Sequence, residues 1–413
     1  MENENPTIAI LGSGPIGIEA ALYARFLGYP VQVFERGELL NSVRRWAHVT
    51  LFSPFGMNCS ALGRQALQAH NPDHVLPADD AQHTAGQWID QYLQPLAETD
   101  LLAGRIHCKS QVVGIGRDRY AESFDAEKYQ SFRLVVETDG QEQIHNADIV
   151  IDASGTWSHP NFTGIGGAPA IGERQARAAT SPDNLFTDHI LTSQELENAS
   201  GHFLLVGRGY SAATNLLMLD QQRDNGKDIT CTWVTRGTAS DQGPLSIIEN
   251  DSLPYRHELA SKANHLATAG WVDWRAECEV AKFAFQDGVY AVQLSDSHEL
   301  NVQHVLSNTG YLGDYEMLQA LHLHRCYISG GPMAWAASVA GTGGDCLQQT
   351  STGPDALKTT EKNFYILGSK SYARDSRFLF ATGLKQIRDV FKLIGERETL
   401  DLYQGFASTN SNG

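Results

Sequence analysis

The chain has no Cys-x-x-Cys and no His/Cys cluster at zinc spacing; its six cysteines, at 59, 108, 231, 278, 326 and 346, are scattered over 413 residues. This argues against a disulfide framework or an adjacent dithiol. Each thiol reads most simply as a small buried hydrophobe, with Cys59 and Cys346 nearest to candidate site segments. His322 and His324 alternate as on a strand with no third ligand nearby, so no metal site is expected. Positive charge is scarce: 31 Lys and Arg face 48 Asp and Glu, a formal charge of -17, which argues against nucleic acid or an anionic membrane as a partner. No apolar run approaches the roughly 20 residues of a spanning helix. The opening MENENPTIAIL carries two acids before a short strand, with no basic n-region and no small-residue cleavage site. The expectation is a cytoplasmic protein.

What the chain does have is core and glycine turns. At 42% hydrophobic it can bury two or three domains. No tandem repeat is present; instead short β-rich runs lead into glycine turns and amphipathic helices, the pattern of an α/β fold. The sharpest unit is TIAILGSGPIGIEAALYARFLGYPVQVFERG: an apolar strand from Thr7 to Leu11, the turn Gly12-Ser13-Gly14-Pro15-Ile16-Gly17, a helix over Ile18–Leu27, then a strand over Val31–Phe34. Gly12 permits the tight turn, Gly14 lets backbone approach a pyrophosphate, and Gly17 lets helix and strand pack closely; Pro15 belongs to the same cofactor turn, and the helix N-terminus supplies free N–H groups and a positive dipole end. Glu35, with Arg36 beside it, stands near the distance of about 20 residues at which an acid accepts the ribose hydroxyls of an adenosine.

HFLLVGRGYSAATN, from His202 to Asn215, repeats the plan: a strand to Val206, then Gly207-Arg208-Gly209-Tyr210-Ser211-Ala212, then a helix. The following strand, Ile229–Thr235, closes with Arg236 rather than an acid. An arginine there suits a 2′-phosphate and argues for NADPH, with NADH still open. The first cradle thus fits an unphosphorylated adenosine ribose and the second a phosphorylated one.

Together these segments resemble the flavoproteins with two dinucleotide-binding domains, the group holding thioredoxin and glutathione reductase-like enzymes, flavin-containing monooxygenases and N-hydroxylating monooxygenases. The resemblance extends to VIDASGTWSHPN (150–161), similar to the segment where such chains leave the flavin domain and carrying Ser154 and Gly155. It extends to VLSNTGYLGD (305–314), similar to the returning segment, with Thr309 and Gly310. NFYILGSKSYARDSRFLFATGLKQIRDVF (363–391) is similar to the closing flavin segment, with Gly368 and Ser369. The implied fold is α/β with two Rossmann-like domains, each of three layers (ββα), the NADPH domain inserted into the FAD domain. Residues 1–157 and 308–413 would form the FAD domain, 195–305 the NAD(P)H domain, and 158–194 a connector. SQVVGIGRDR and SFRLVVETD alternate like antiparallel strands around a polar loop; the resemblance places the adenine near the backbone of Val112 and Val113.

The implied cofactors are FAD and NADPH, and the implied chemistry is hydride transfer to the flavin. VRRWAHVTLFSPFGMNCS (43–60) stands where the family's chain crosses the isoalloxazine. Arg44, Arg45 and Asn58 are candidate catalytic donors there, Trp46 a cofactor contact, and Phe52 and Phe55 core. Three electron acceptors remain open. O2 would make the protein a monooxygenase acting on a small molecule through a flavin C4a-hydroperoxide, the reading favoured by ASGTWSHP and the missing dithiol. Two features depart from that branch: NLFTDHILTSQEL has Phe186 and His189 but not F-x-G-x-x-x-H, and Phe52-Ser53-Pro54 replaces Asn-Ser/Thr-Pro. A reductase of a disulfide or other small oxidant, or an oxidase or dehydrogenase run by its substrate, are the alternatives, with a flavin-based redox sensor behind them. A homodimer is compatible with the sequence. Ser246–Trp271 reads as a loop and helix that either caps the substrate side or simply starts a helix at Pro254 and Arg256. Ser329–Thr360 reads as a glycine-rich gate or a surface insertion.

Overall fold

The computed structural model describes residues 5–117, 131–197, 199–238, 242–339 and 353–407. The polar loop at 118–130, most of the glycine-rich stretch after 339 and Cys346 lie outside the described residues. The chain divides into two compact units, residues 1–159 with 312–413, and residues 160–311. The second is therefore an insertion in the sequence of the first.

The first unit begins with β1 (Ile8–Leu11), α1 (Pro15–Phe26) and β2 (Val31–Phe34). The helix starts three residues earlier than the sequence suggested, because Gly14 is its N-cap in extended conformation and Pro15 occupies the first turn. Later come β3 (Ile106–His107), the antiparallel β4 (Ser110–Arg117), β5 (Phe132–Thr138) and β6 (Gln141–Ala147), then β7 (Ile149–Asp152). A strand at Phe364–Ile366 completes a five-stranded parallel sheet in the order 364–366, β7, β1, β2, β3. The two-residue period of a strand explains the layers. Ile8 and Ile10 face a core shared with α1 and the helix Phe380–Gly395, whereas Ala9 and Leu11 face a core shared with Val112, Phe132 and Leu134 of the antiparallel strands. Both faces of β1 are covered, so it reads as an unbroken apolar run.

The second unit has the same plan. Its parallel sheet orders the strands Val272–Arg275, Ile229–Val234, Gly201–Val206, His304–Ser307 and Phe186–Thr187. An antiparallel sheet of Val280–Gln286, Val289–Leu294 and Glu299–Val302 shares a core with Leu204 and Val206. Of the connector 158–194 read from the sequence, residues 160–194 take part in this unit. They hold the helix Glu173–Ala178, and Ala170, Ala176 and Phe186 enter its core. The buried Glu173 carboxylate fastens them by accepting from the amides of Thr163 and Ala170 and from Arg177. The helix after the second turn runs from Tyr210 to Asp224, longer at both ends than its apolar stretch. Pro254 and Arg256 make an ordinary helix start: Arg256 is bound by Asp251 through two hydrogen bonds of 2.8 and 2.6 Å.

Candidate functional site

At the first glycine turn the backbone geometry is set by contact. Gly12 has φ +93°, and a Cβ there would lie 2.9 Å from the carbonyl oxygen of Ala153; a Cβ on Gly17 would run into the carbonyl oxygen of Gly12. Gly14 is the exception, with nothing within 4 Å of the Cβ position. No side chain caps α1, so its amides face that space with the positive end of the helix dipole. This open cradle fits a pyrophosphate.

Glu35 lies where the sequence placed it, past the end of β2. Its carboxylate accepts from the Ser13 amide at 2.9 Å, the Ser13 hydroxyl at 3.2 Å and the Gly37 amide at 2.9 Å. It is thereby turned toward the glycine turn, with lone pairs left for ribose hydroxyls. Arg36 is exposed beside it. Val113 is the extra residue of a β-bulge between Val112 and Gly114, which takes its backbone out of the ladder and suits it to an adenine edge. These residues fit FAD. Ser154 and Gly155, after β7, meet Gly368 and Ser369: a Cβ on Gly155, at φ +73°, would stand 3.8 Å from the Ser369 hydroxyl.

The segment 43–60 separates into different fates. Trp46 stacks on Trp157, centroids 6.0 Å apart at 17°, and Arg45 donates to the Trp157 carbonyl at 3.4 Å. Arg44 is engaged elsewhere, by the Leu39 carbonyl and the Gln94 side chain. Asn58 is buried; its side-chain amide donates to the carbonyls of Ser53 and Pro54, accepts from the Ser53 hydroxyl and lies 3.3 Å from the His83 Nε2. These bonds hold the Ser53–Asn58 turn and join it to His83. Phe55 is core, whereas Phe52 is half-buried. Burial pushes the Cys59 thiol up to about 11, against the nearby Arg64, so it is a poor nucleophile at neutral pH.

The second glycine turn follows the same logic. Gly207 has φ +124°, and a side chain there would run into the Asn308 carbonyl; Gly209 has open space and caps its helix without a side chain. Tyr210 begins that helix, Ser211 is exposed and Ala212 is fully buried against the sheet. Arg236 is exposed just past the end of its strand, and a Cβ on Gly167 would stand 3.8 Å from its guanidinium. The sequence reading missed a neighbour: Arg208, inside the glycine turn, lays its guanidinium against Gly237, adjacent in sequence to Arg236. The signal was available, since Gly237 has no side chain to obstruct it. Thr309 and Gly310, expected on the flavin domain, belong to the second unit, where Asn161 and Thr309 hydrogen-bond each other's segments.

Behind this turn, buried Asn215 donates to the carbonyl of His189 and to the side chain of Asn308. His189 itself is held by Thr187 and Glu195. Hydrogen bonding to Asp188 and Glu195 raises His189 to about 9. Burial alone would raise Glu195, but bonds from His189 and Thr192 override it and bring it to about 2. A raised histidine contributes stability fully present below its unfolded value near 6.5 and lost as pH rises through about 9. Between pH 6.5 and 9.5 the second unit should therefore lose on the order of 2 kcal/mol. Urea midpoints should show this slope in the wild type and a shallower one in His189→Asn; equal slopes would refute it.

Among the described residues no group of His, Cys, Asp and Glu could hold a metal, and no helix is long and apolar enough to cross a membrane. A family model described as pyridine nucleotide-disulphide oxidoreductase matches residues 9–331. A comparison with curated protein sequences returns no match. Among solved structures, the bacillithiol disulfide reductase of Bacillus cereus is 16% identical and matches at TM-score 0.66 over 95% of this chain and 100% of that one. An ornithine N-hydroxylase of Kutzneria sp. 744 is 13% identical, at 0.62 over 96% and 100%. A flavin monooxygenase from Stenotrophomonas maltophilia is 16% identical, at 0.57 over 95% and 99%. At these identities the likeness is one of fold.

Proposed function

The chain belongs to the pyridine nucleotide-disulphide oxidoreductase family, as an FAD- and NAD(P)H-dependent oxidoreductase, and on that premise we propose that it uses NADPH to reduce FAD and O2 to oxygenate a small molecule. The observation that carries the reading is the contrast between two uncapped helix N-termini. At the first, the carboxylate of Glu35 accepts from the Ser13 amide of the turn; the second has Arg208 in its turn, with its guanidinium against Gly237, next in sequence to the exposed Arg236. In the first unit, α1 would hold the FAD pyrophosphate, Glu35 the ribose and the Val113 bulge the adenine. In the second, the helix at Tyr210 would hold the NADPH pyrophosphate and the two arginines its 2′-phosphate. Bound flavin supplies hydride acceptance and reactivity toward oxygen.

Oxygen is favoured as acceptor because the sequence has no Cys-x-x-Cys and burial holds the Cys59 thiol protonated, which supports no adjacent dithiol relay. The second reading, a reductase of a small disulfide, draws on the family's description and on the activity named for the Bacillus cereus neighbour. The test is anaerobic reduction by NADPH, then rapid mixing with O2. A delayed return of the oxidised flavin spectrum supports oxygenation. Immediate return with one peroxide per flavin supports an oxidase, and anaerobic turnover with a low-molecular-weight disulfide supports the reductase. Flavin that NADPH does not reduce would overturn the common core.

A further inference from the structure

The first unit contains a buried ion pair that the cofactor cradle does not by itself require. Lys370, two residues past Gly368, and Asp152, the last residue of β7, both have fully buried side chains, and the Lys370 Nζ lies 2.5 Å from Asp152 Oδ2. The same ammonium donates to the Ser154 hydroxyl at 3.1 Å and stands 4.7 Å from the centre of the Tyr315 ring. Asp152 uses its other oxygen to accept from the Ser154 amide at 3.1 Å and hydroxyl at 2.6 Å. Gly313 makes room for the lysine stem: a Cβ there would stand 2.8 Å from Lys370 Cγ. One ammonium thus ties together the segments 152–155, 313–315 and 368–372.

A buried ion pair is a weak source of stability, because desolvation offsets most of its attraction; apolar residues of similar volume often serve as well. Its distinctive properties are fixed geometry and the cancellation of two charges. Both act on the Ser154–Gly155 and Gly368–Ser369 turns, which face each other within a few ångströms.

We infer that Lys370 and Asp152 form a charge-balanced lock that positions these two turns, which would hold FAD, and keeps an unpaired charge out of that site. This rests on the reading that the two turns line the flavin site. Lys370 is a positioning residue here. Leaving only the carboxylate would disfavour electron uptake by the flavin, and leaving only the ammonium would favour it.

The experiment uses the full-length FAD-loaded protein and the variants Lys370→Met, Asp152→Asn and the double variant. Midpoint potentials are read with dithionite and a reference dye, FAD affinity by fluorescence, and apoprotein unfolding by calorimetry. Lys370→Met should lower the potential, Asp152→Asn should raise it, and the double variant should return it toward the wild-type value. Each single variant should bind FAD about 10-fold more weakly or worse, as expected when one buried partner is removed. Single variants that shift the potential in the same direction, or not at all, would overturn the proposal and leave a purely structural pair. If Lys370→Met does not fold, Asp152→Asn is compared with the double variant: a higher potential in the single supports the lock, and equal potentials overturn it. Dithionite makes the result independent of NADPH, so failure of the hydride-donor reading remains a separate outcome.

Discussion

Gly17→Ala is expected to purify without FAD and to unfold at a lower temperature, whereas Gly14→Ala folds as the wild type does and binds FAD at least about 10-fold more weakly. The two glycines share one turn but meet different surroundings. At Gly17 the added methyl would collide with the Gly12 carbonyl oxygen, so the turn must move before any ligand arrives. Forcing a methyl into such a contact costs about 2–3 kcal/mol. At Gly14 the backbone is extended and the methyl has free space in the ligand-free protein. Its effect on folding should stay near the cap difference of about 1 kcal/mol, and its larger cost appears where a pyrophosphate would approach. The flavin-to-protein absorbance ratio and apoprotein unfolding temperatures separate these cases. Normal FAD binding by Gly14→Ala would move the pyrophosphate elsewhere.

The other large effect is expected at the second cradle. Arg236→Glu should reduce the preference for NADPH over NADH by about 100-fold and Arg208→Ala by about 10-fold, through KM for NADPH with kcat little changed. Hydrogen bonds to a charged group contribute about 1.5–3 kcal/mol each, which sets this range, and the glutamate adds repulsion. NADH should be nearly indifferent to Arg208→Ala. A loss shared equally by both nucleotides would assign Arg208 to the glycine turn's structure, and an unchanged preference in both variants would remove the arginine pair from the site.

The parts of this molecule legible in its sequence are those whose causes are local. Glycines at 12, 14 and 17 and at 207 and 209 dictate strand, turn and helix within a dozen residues, and Glu35 and Arg236 follow from where the next strand stops. Asp152 and Lys370 were not legible. Each alone reads as a strand-end acid and a loop lysine, and only the parallel pairing of β7 with Phe364–Ile366 brings them together. Asn58 shows the opposite problem. A segment rich in donors suggests chemistry, but a buried amide is claimed by the nearest unsatisfied carbonyls, here those of Ser53 and Pro54. Residues 158–194 are rich in small residues and turn signals, which resemble a linker until Ala170, Ala176 and Phe186 are seen to cover a sheet.

The insertion of residues 160–311 also bears on the order of assembly. During synthesis, β1 and its glycine turn emerge first, yet the sheet that carries them lacks an edge until Phe364–Ile366 reaches Val150 and Ile151. The inserted unit has its whole sequence by then and can fold while its host still waits. The first glycine turn is therefore among the last parts of its sheet to be finished on the ribosome. A chain interrupted before residue 364 would retain a foldable second unit beside an unfinished first one.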